Sequence, residues 1–334
     1  MKIMNTVDII IYSPGDATAL VTTLSSIPEK PGYRIFVCDS GGSGESEERT
    51  SKIFSRNRFT FFSCSDEEVN RAAMINRAIG AGCGDVILLI ESGLIINGEF
   101  IERGKAAFRT GGKIGQVACR IVQSKGDNGA VIISAGVGVD CDRRTFDPMA
   151  GYAADSIGAV VCQVFGASWK CGFFSRQCLE SVAQSGEFFD EDFGNPKADV
   201  DFAWRSRLLG WRSLYNPYCV ATAMGQVNAA MSPEYRRESY RNRYYMILKN
   251  DTLDGLFLNF LHMVFIEMAL QFYCLLFEPA LFTSLIGLLK KLPGMLKKRR
   301  KIQLARVISA SAFERDLKVF RNPAISFSRT VTSS

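Results

Sequence analysis

Histidine is nearly absent: the 334 residues contain one, His262, set in an apolar segment. One histidine cannot build a His-rich metal site, and a Ser-His-Asp triad centred on it is a poor fit, so His262 reads as a packed or interfacial residue. The ten cysteines include no CxxC pair and no zinc-finger rhythm. They read as reduced, buried, small apolar residues rather than a disulfide framework. No uninterrupted stretch reaches the ~20 apolar residues that a bilayer span needs. The opening segment, MKIMNTVDIIIYS, has a lysine but no long apolar core and no small-residue cleavage site, so it is read as no signal peptide. Acidic residues are missing between Glu278 and Glu314, where Lys290, Lys291, Lys297, Lys298, Arg299, Arg300, Lys301 and Arg306 all fall. A block of this kind asks for an anionic partner locally, not for the whole protein.

What is present is an ordinary globular composition, 47% hydrophobic and 22% charged, which argues against disorder. The first third alternates strand and helix signals. Strands are expected at Val7 to Tyr12, Tyr33 to Cys38, Phe59 to Ser63 and Asp85 to Ile90. Helices are expected from a cap at Asp16 to Ile27, over Glu45 to Phe54, and from a cap at Asp66 to Ala81. Strands separated by helices predict a parallel sheet with crossover connections, and such sheets bind ligands beyond the carboxyl ends of their strands. The loops at Ser13, Asp39 (followed by Ser40-Gly41-Gly42) and Glu91 are therefore the places to search. From Gly111 to Gly166 the chain reads as strands and loops. Helices follow at Ser175 to Gln184 and Asp199 to Leu209, then short strands at Trp211 to Tyr215 and Tyr218 to Thr222, parted by Pro217.

The string from Gly186 to Pro217, GEFFDEDFGNPKADVDFAWRSRLLGWRSLYNP, carries an ordered series of motifs. These are Phe189-Asp190-Glu191-Asp192-Phe193, Asp199-Val200-Asp201, Arg205, Gly210-Trp211 and Tyr215-Asn216-Pro217. Upstream stand Phe165-Gly166-Ala167-Ser168, Ser134-Ala135-Gly136, Val37-Cys38-Asp39-Ser40-Gly41, Asn76 and Gly84-Asp85; downstream stand Arg241-Asn242-Arg243 and Lys249-Asn250. In order and spacing this series resembles the family 2 glycosyltransferases of GT-A type, similar to bacterial rhamnosyltransferases, over about Val7 to Asn250. The resemblance implies an α/β, Rossmann-like fold with a mostly parallel central sheet. Residues 1–110 would form a nucleotide-binding half and 111–250 an acceptor-side half, with 251–334 a helical, apolar and basic region.

The resemblance also implies the chemistry. Inverting glycosyl transfer needs a base for the acceptor hydroxyl and a means of stabilising the departing nucleotide diphosphate. Asp199 would be the base, although it could simply cap the helix that follows. Asp201 would support it, pairing with Arg205. Tyr12, Asp39, Asn76, Glu91, Arg241 and Arg243 would lie on the donor side, and Trp169, Asp201, Arg205 and Trp211 on the acceptor side. The donor implied is a dTDP- or UDP-sugar, rhamnose by resemblance, and the acceptor a lipid-linked polysaccharide. Two departures affect the Mg²⁺ or Mn²⁺ that the family uses. Glu91-Ser92-Gly93 stands where it carries D-x-D, and Ala223 where it carries a histidine; Ala198 also replaces a glutamate. Glu91 is the one candidate ligand left. Without a metal the diphosphate needs side-chain cations, and Arg236, Arg237, Arg241, Arg243, Lys170 and Lys197 are candidates because guanidinium and ammonium groups suit phosphate oxygens.

The C-terminal part changes character. Leu256 to Leu289 is strongly apolar, with Glu267, Gln271 and Glu278 on one narrow helical stripe, and the basic block follows at once. This combination suits a helix lying in an anionic membrane surface, here the cytoplasmic face of the inner membrane; a buried helical hairpin is the plainer alternative. The altered metal positions keep open a non-catalytic protein that binds a partner glycosyltransferase or glycan, and a homodimer. Nucleic acid is not expected, because the basic block has no interleaved aromatic platform.

Overall fold

The computed structural model describes residues 6–41, 44–55, 58–64, 70–126, 129–156, 158–225, 232–258 and 260–321. The expected caps and loops at Asp66 and Gly42 lie outside these residues, as does the side chain of His262. In chain order the N-terminal part runs β1 (Val7–Ser13), α1 (Ala17–Ser26), β2 (Tyr33–Asp39), α2 (Glu45–Ile53), β3 (Phe59–Ser63), α3 (Arg71–Ala81), β4 (Val86–Glu91) and β5 (Leu94–Ile96). Then come α4 (Phe100–Ala107), β6 (Ile114–Ser124), β7 (Ala130–Ser134), β8 (Gly138–Val139), β9 (Thr145–Phe146), β10 (Cys162–Val164), β11 (Cys171–Ser175), α5 (Arg176–Val182), α6 (Ala198–Leu208) and β12 (Arg212–Ala223). Five helices close the chain: α7 (Pro233–Asn250), α8 (Leu253–Leu258), α9 (Phe260–Phe277), α10 (Ser284–Ala305) and α11 (Ala310–Arg321).

The central sheet has the order β10-β12-β6-β11-β4-β1-β2-β3, with β5 on β12 and β7 on β6. It is parallel through β3, β2, β1 and β4 and again between β6 and β12, while β11 runs antiparallel between β4 and β6. The apolar runs explain the parallel half: Ile9, Ile10, Ile11, Val37, Leu88 and Leu89 are buried because helices cover both faces. Asp16 caps α1 as expected, its Oδ1 accepting the Thr18 and Ala19 amides at 2.9 and 3.0 Å. α3 is capped by Asn70. Pro217 does not divide a strand. β12 runs through it, and an irregularity of register between Asn216 and Val220 absorbs the missing donor.

The C-terminal helices do not form one separate layer. α11 returns to the main core, where Phe313, Leu317 and Phe320 are buried and Phe313 stacks on Trp204 with ring centroids 5.4 Å apart. Arg143 ties it down, bonded to Asp251 and Glu314 together. The basic run of α10 is partly spent inside the molecule. Lys298 reaches Asp190 and Asp192 at 2.6 and 2.8 Å, and Lys291 reaches Asp192 at 2.6 Å. Burial opposes ionisation of Asp190, yet Lys249 and Lys298 beside it hold its carboxyl well below the usual range. α9 has the opposite polarity to a surface helix. Glu267 and Gln271 point inward to Arg243, Tyr244 and Tyr240 of α7, while Leu261, Phe265, Met268, Phe272 and Leu276 are exposed.

Candidate active site

Strand register assembles the donor-side edge. Tyr12 at the end of β1 lies opposite Cys38 on one side and Glu91 on the other, and Ser13 lies opposite Asp39. The loops beyond must approach closely: a Cβ on Gly41 would sit 2.4 Å from the Gly15 Cα, so glycine is required there. Asp39 is 1% exposed, and its Oδ1 has no hydrogen-bond partner, an arrangement that favours a ligand donor.

Beside this edge stands Arg71, the first residue of α3. Its guanidinium lies 4.4 Å from the centroids of both the Tyr12 and Trp169 rings. It donates to Glu91 Oε2 at 3.3 Å and to the Trp169 carbonyl at 3.2 Å. The Glu91 amide in turn donates to the Lys170 carbonyl at 2.7 Å, so the Lys170 side chain starts level with Glu91.

Arg71, Glu91, Trp169 and Lys170 line a cavity of about 970 Å³ that is also lined by Lys197 and Asp199. Asp199, in the first turn of α6, is buried; its Oδ2 accepts the Trp169 amide at 3.2 Å and its Oδ1 the Val200 amide at 2.9 Å. Burial pushes its carboxyl above the ordinary aspartate value against those two amides and the nearby Arg71 and Lys170. Lys197 precedes the helix with a left-handed φ of 73°, and its Nζ donates to the Ser239 carbonyl at 2.7 Å. Burial, with Arg243 adding to it, brings its ammonium down to about 7. Asp147, also on the wall, accepts from Ser134 Oγ and the Ala135 amide, and burial pushes it up to about 6. The other wall is α7, through Tyr235, Arg236, Ser239, Tyr240 and Arg243, joined by Leu270 and Leu281.

Of the expected residues, Asp199, Glu91, Trp169, Arg243, Arg236, Lys170 and Lys197 line this cavity. Several others are placed elsewhere. Asn76, expected on the donor side, spends its amide on Phe189 and Glu191, bracing that segment against α3. Arg241 turns away to Asn242 and the Tyr245 ring. Asp201, expected near the acceptor, is buried between Arg205, Lys249 and Asn250. Arg205 goes on to the Val182 and Phe188 carbonyls. Trp211 packs in the core with its Nε1 on Ser181 Oγ. Arg71, Asp147 and Tyr235 were not anticipated. Arg71 had a signal: with Met74, Ile75 and Ala78 it occupies i, i+3, i+4 and i+7, a charge within a buried stripe.

No family model and no curated protein matches the chain. Solved structures do. GalNAc-T7 with UDP, GalNAc and Mn²⁺ superposes with a TM-score of 0.57 at 11% identity, over 74% of this chain and 48% of that one. The chain has the GT-A glycosyltransferase fold. It spans about half the length of that neighbour. The mannosyltransferase PcManGT from Pyrobaculum calidifontis, with GDP-Man and Mn²⁺, gives 0.47 at 14% identity, over 96% and 86% of the two chains. A mycobacterial protein gives 0.48 at 16%, over 74% of each.

GalNAc-T7 holds Mn²⁺ together with UDP, whereas the residues of this chain do not fit a divalent ion. Among the described residues no group of three His, Cys, Asp or Glu side chains is arranged to hold a metal ion. In the GT-A frame the turn after β4 offers Glu91, already paired to Arg71, and then Gly93 at φ +87°. Ala223 pairs with Leu94, and the Met224 amide donates to the Gly93 carbonyl at 2.9 Å, so both altered positions lie side by side without a ligating group.

Proposed function

We propose that this chain is an inverting glycosyltransferase that moves a rhamnose-like sugar from a dTDP- or UDP-sugar to a lipid-linked glycan, in cell-surface polysaccharide synthesis. The observation that carries the reading is a single cavity lined by Glu91 from the carboxyl edge of the parallel strands, by Arg71 and by the buried Asp199 carboxylate, with Trp169 bonded to both Arg71 and Asp199. The acceptor hydroxyl oxygen forms a bond to the anomeric carbon, and the bond from that carbon to the diphosphate oxygen breaks. Asp199 takes the hydroxyl proton and the nucleoside diphosphate leaves with the bonding electron pair. The Trp169 and Val200 amides fix the carboxylate in one orientation, which is what a positioned base requires. The acceptor approaches from the end lined by Tyr240, Leu270 and Leu281, next to the outward apolar face of α9. That face, with the exposed Lys290, Lys297 and Arg300 of α10, supports docking on the anionic cytoplasmic surface of a membrane.

Asp199→Asn tests the assignment. Transfer falls by on the order of 10²–10⁴-fold, while nucleotide binding and the circular dichroism spectrum stay unchanged. The fold tolerates the change because relief of a buried charge offsets the loss of one acceptor, a balance within about 1 kcal/mol. Since burial raises this carboxyl, the acid limb of the wild-type rate profile lies above the ordinary aspartate range. Retained turnover removes Asp199 as the base. A protein that neither turns over nor binds nucleotide would instead fit the second reading, favoured by Gly93 and Ala223, in which the fold binds a partner glycosyltransferase or a glycan.

A further inference from the structure

We propose, resting on the donor reading above, that the Arg71 guanidinium, seconded by Lys170, supplies the positive charge for the donor's diphosphate, so that nucleotide binding requires no divalent ion. The residues at the end of β4 do not fit a metal. Gly93 takes a φ of +87° that an L-aspartate rarely adopts, and its amide is committed to Thr23 Oγ1 at 2.9 Å, so the turn itself selects against a ligand there. A single carboxylate, Glu91, remains, and it already faces a cation.

That cation is built in. Arg71 is 6% exposed, and the Tyr12 and Trp169 ring centroids each lie 4.4 Å from its guanidinium carbon. Two contacts, to Glu91 and to the Trp169 carbonyl, use part of a group with five N–H donors, and its Nε is buried with no partner. A charged, desolvated donor facing a cavity with hydrogens to spare is preorganised for an anion, and the planar fork matches phosphate oxygens. Glu91 offsets one charge. Lys170 restores it: its side chain is exposed, lines the same cavity and forms no salt bridge among the described residues, with Asp199 and Asp147 near enough only to feel its charge.

The test is calorimetric titration of UDP, dTDP and GDP into the full chain with Mn²⁺ and again with EDTA. Equal affinity in both is expected. In EDTA, Arg71→Gln should weaken the best-bound nucleotide by about tenfold to a hundredfold and Arg71→Lys by less, the loss of one or two charge-assisted bonds. Glu91→Gln separates the two ideas by sign: it tightens binding if Arg71 is the resident cation and weakens Mn²⁺-supported binding if Glu91 holds a metal. Should Arg71→Gln fail to fold by circular dichroism, the surface variant Lys170→Ala, expected to lose about threefold to tenfold, takes its place. Wild-type binding that vanishes in EDTA, or Arg71 and Lys170 variants that bind like wild type, overturns the inference and leaves the donor reading standing. No nucleotide bound under either condition defeats the donor reading itself, and this inference with it.

Discussion

Phe313→Ala and Phe265→Ala make the same chemical change on two C-terminal helices, and the structure assigns them opposite consequences. Phe313 on α11 is 1% exposed, stacks on Trp204 and meets Phe165 edge to face with centroids 6.3 Å apart. Truncating a buried phenylalanine costs about 3–5 kcal/mol, and the two aromatic partners push this site to the upper end. A loss of that size is a large share of the roughly 5–15 kcal/mol that holds a domain folded. Phe265 on α9 is 74% exposed, so its truncation should stay within about 0.5 kcal/mol. Guanidinium denaturation followed by tryptophan fluorescence reads both, since Trp204 reports directly on the Phe313 site. The expected result is a clear drop in midpoint for Phe313→Ala, with unchanged slope, and overlapping curves for Phe265→Ala. Coincident curves for Phe313→Ala and wild type would refute the packing of α11 into the main core.

Two further outcomes follow from the same geometry. Phe265→Ser with Phe272→Ser should lower partition onto vesicles containing anionic lipid by on the order of 10²–10⁴-fold, at about 1.5–3 kcal/mol per buried ring, with little change in melting temperature; flotation of wild type and double variant measures it, and equal flotation defeats the membrane reading. UDP binding at pH 8 should take up protons. With Lys197 lowered to about 7 its amine is largely neutral there, and the diphosphate favours the ammonium; at pH 5.5 it is already charged and uptake vanishes. Titrations in buffers of different ionisation enthalpy detect this, and Lys197→Gln should abolish it.

The strands of the parallel half were legible because fully buried strands need apolar runs, and Ile9 to Tyr12 and Val86 to Ile90 supply them. Register was not. Nothing in the chain says that Tyr12 lies opposite Glu91, yet that pairing creates the donor-side edge. The motifs near Asp199 mixed two kinds of residue. Asp199 ends at the cavity, whereas Asp201, two positions on, points into the protein and neutralises Lys249 and Arg205. Motif spacing holds both equally, and only the helix phase separates them. Lys249 shares the logic of Arg71: it lies on the buried stripe of its helix with Asn242, Tyr245 and Met246, a charge where an apolar residue was due. Such a charge marks a partner across the core. In one case that partner is structural, Asp190 and Asp201; in the other the guanidinium still has donors to give.

The orientation of α9 shows why an amphipathic pattern alone has two solutions. Glu267 and Gln271 form a polar stripe that, on an ordinary surface helix, would face water. Here α7 presents Tyr240, Arg243 and Tyr244 at i, i+3 and i+4, a polar face of its own, of which Tyr240 and Arg243 also line the cavity. Burying that face without acceptors would strand a guanidinium and two hydroxyls, so Glu267 and Gln271 turn inward to meet them, with Arg243 on Glu267 at 2.8 Å and Tyr240 on Gln271 at 2.7 Å. Leu261, Phe265, Met268, Phe272 and Leu276 are then forced outward. Left in water they forgo about 1.5–3 kcal/mol of burial each, a cost that a lipid surface removes. The cavity wall thus fixes the side of α9 that faces solvent, and the polar contacts that complete the site also create its apolar exterior.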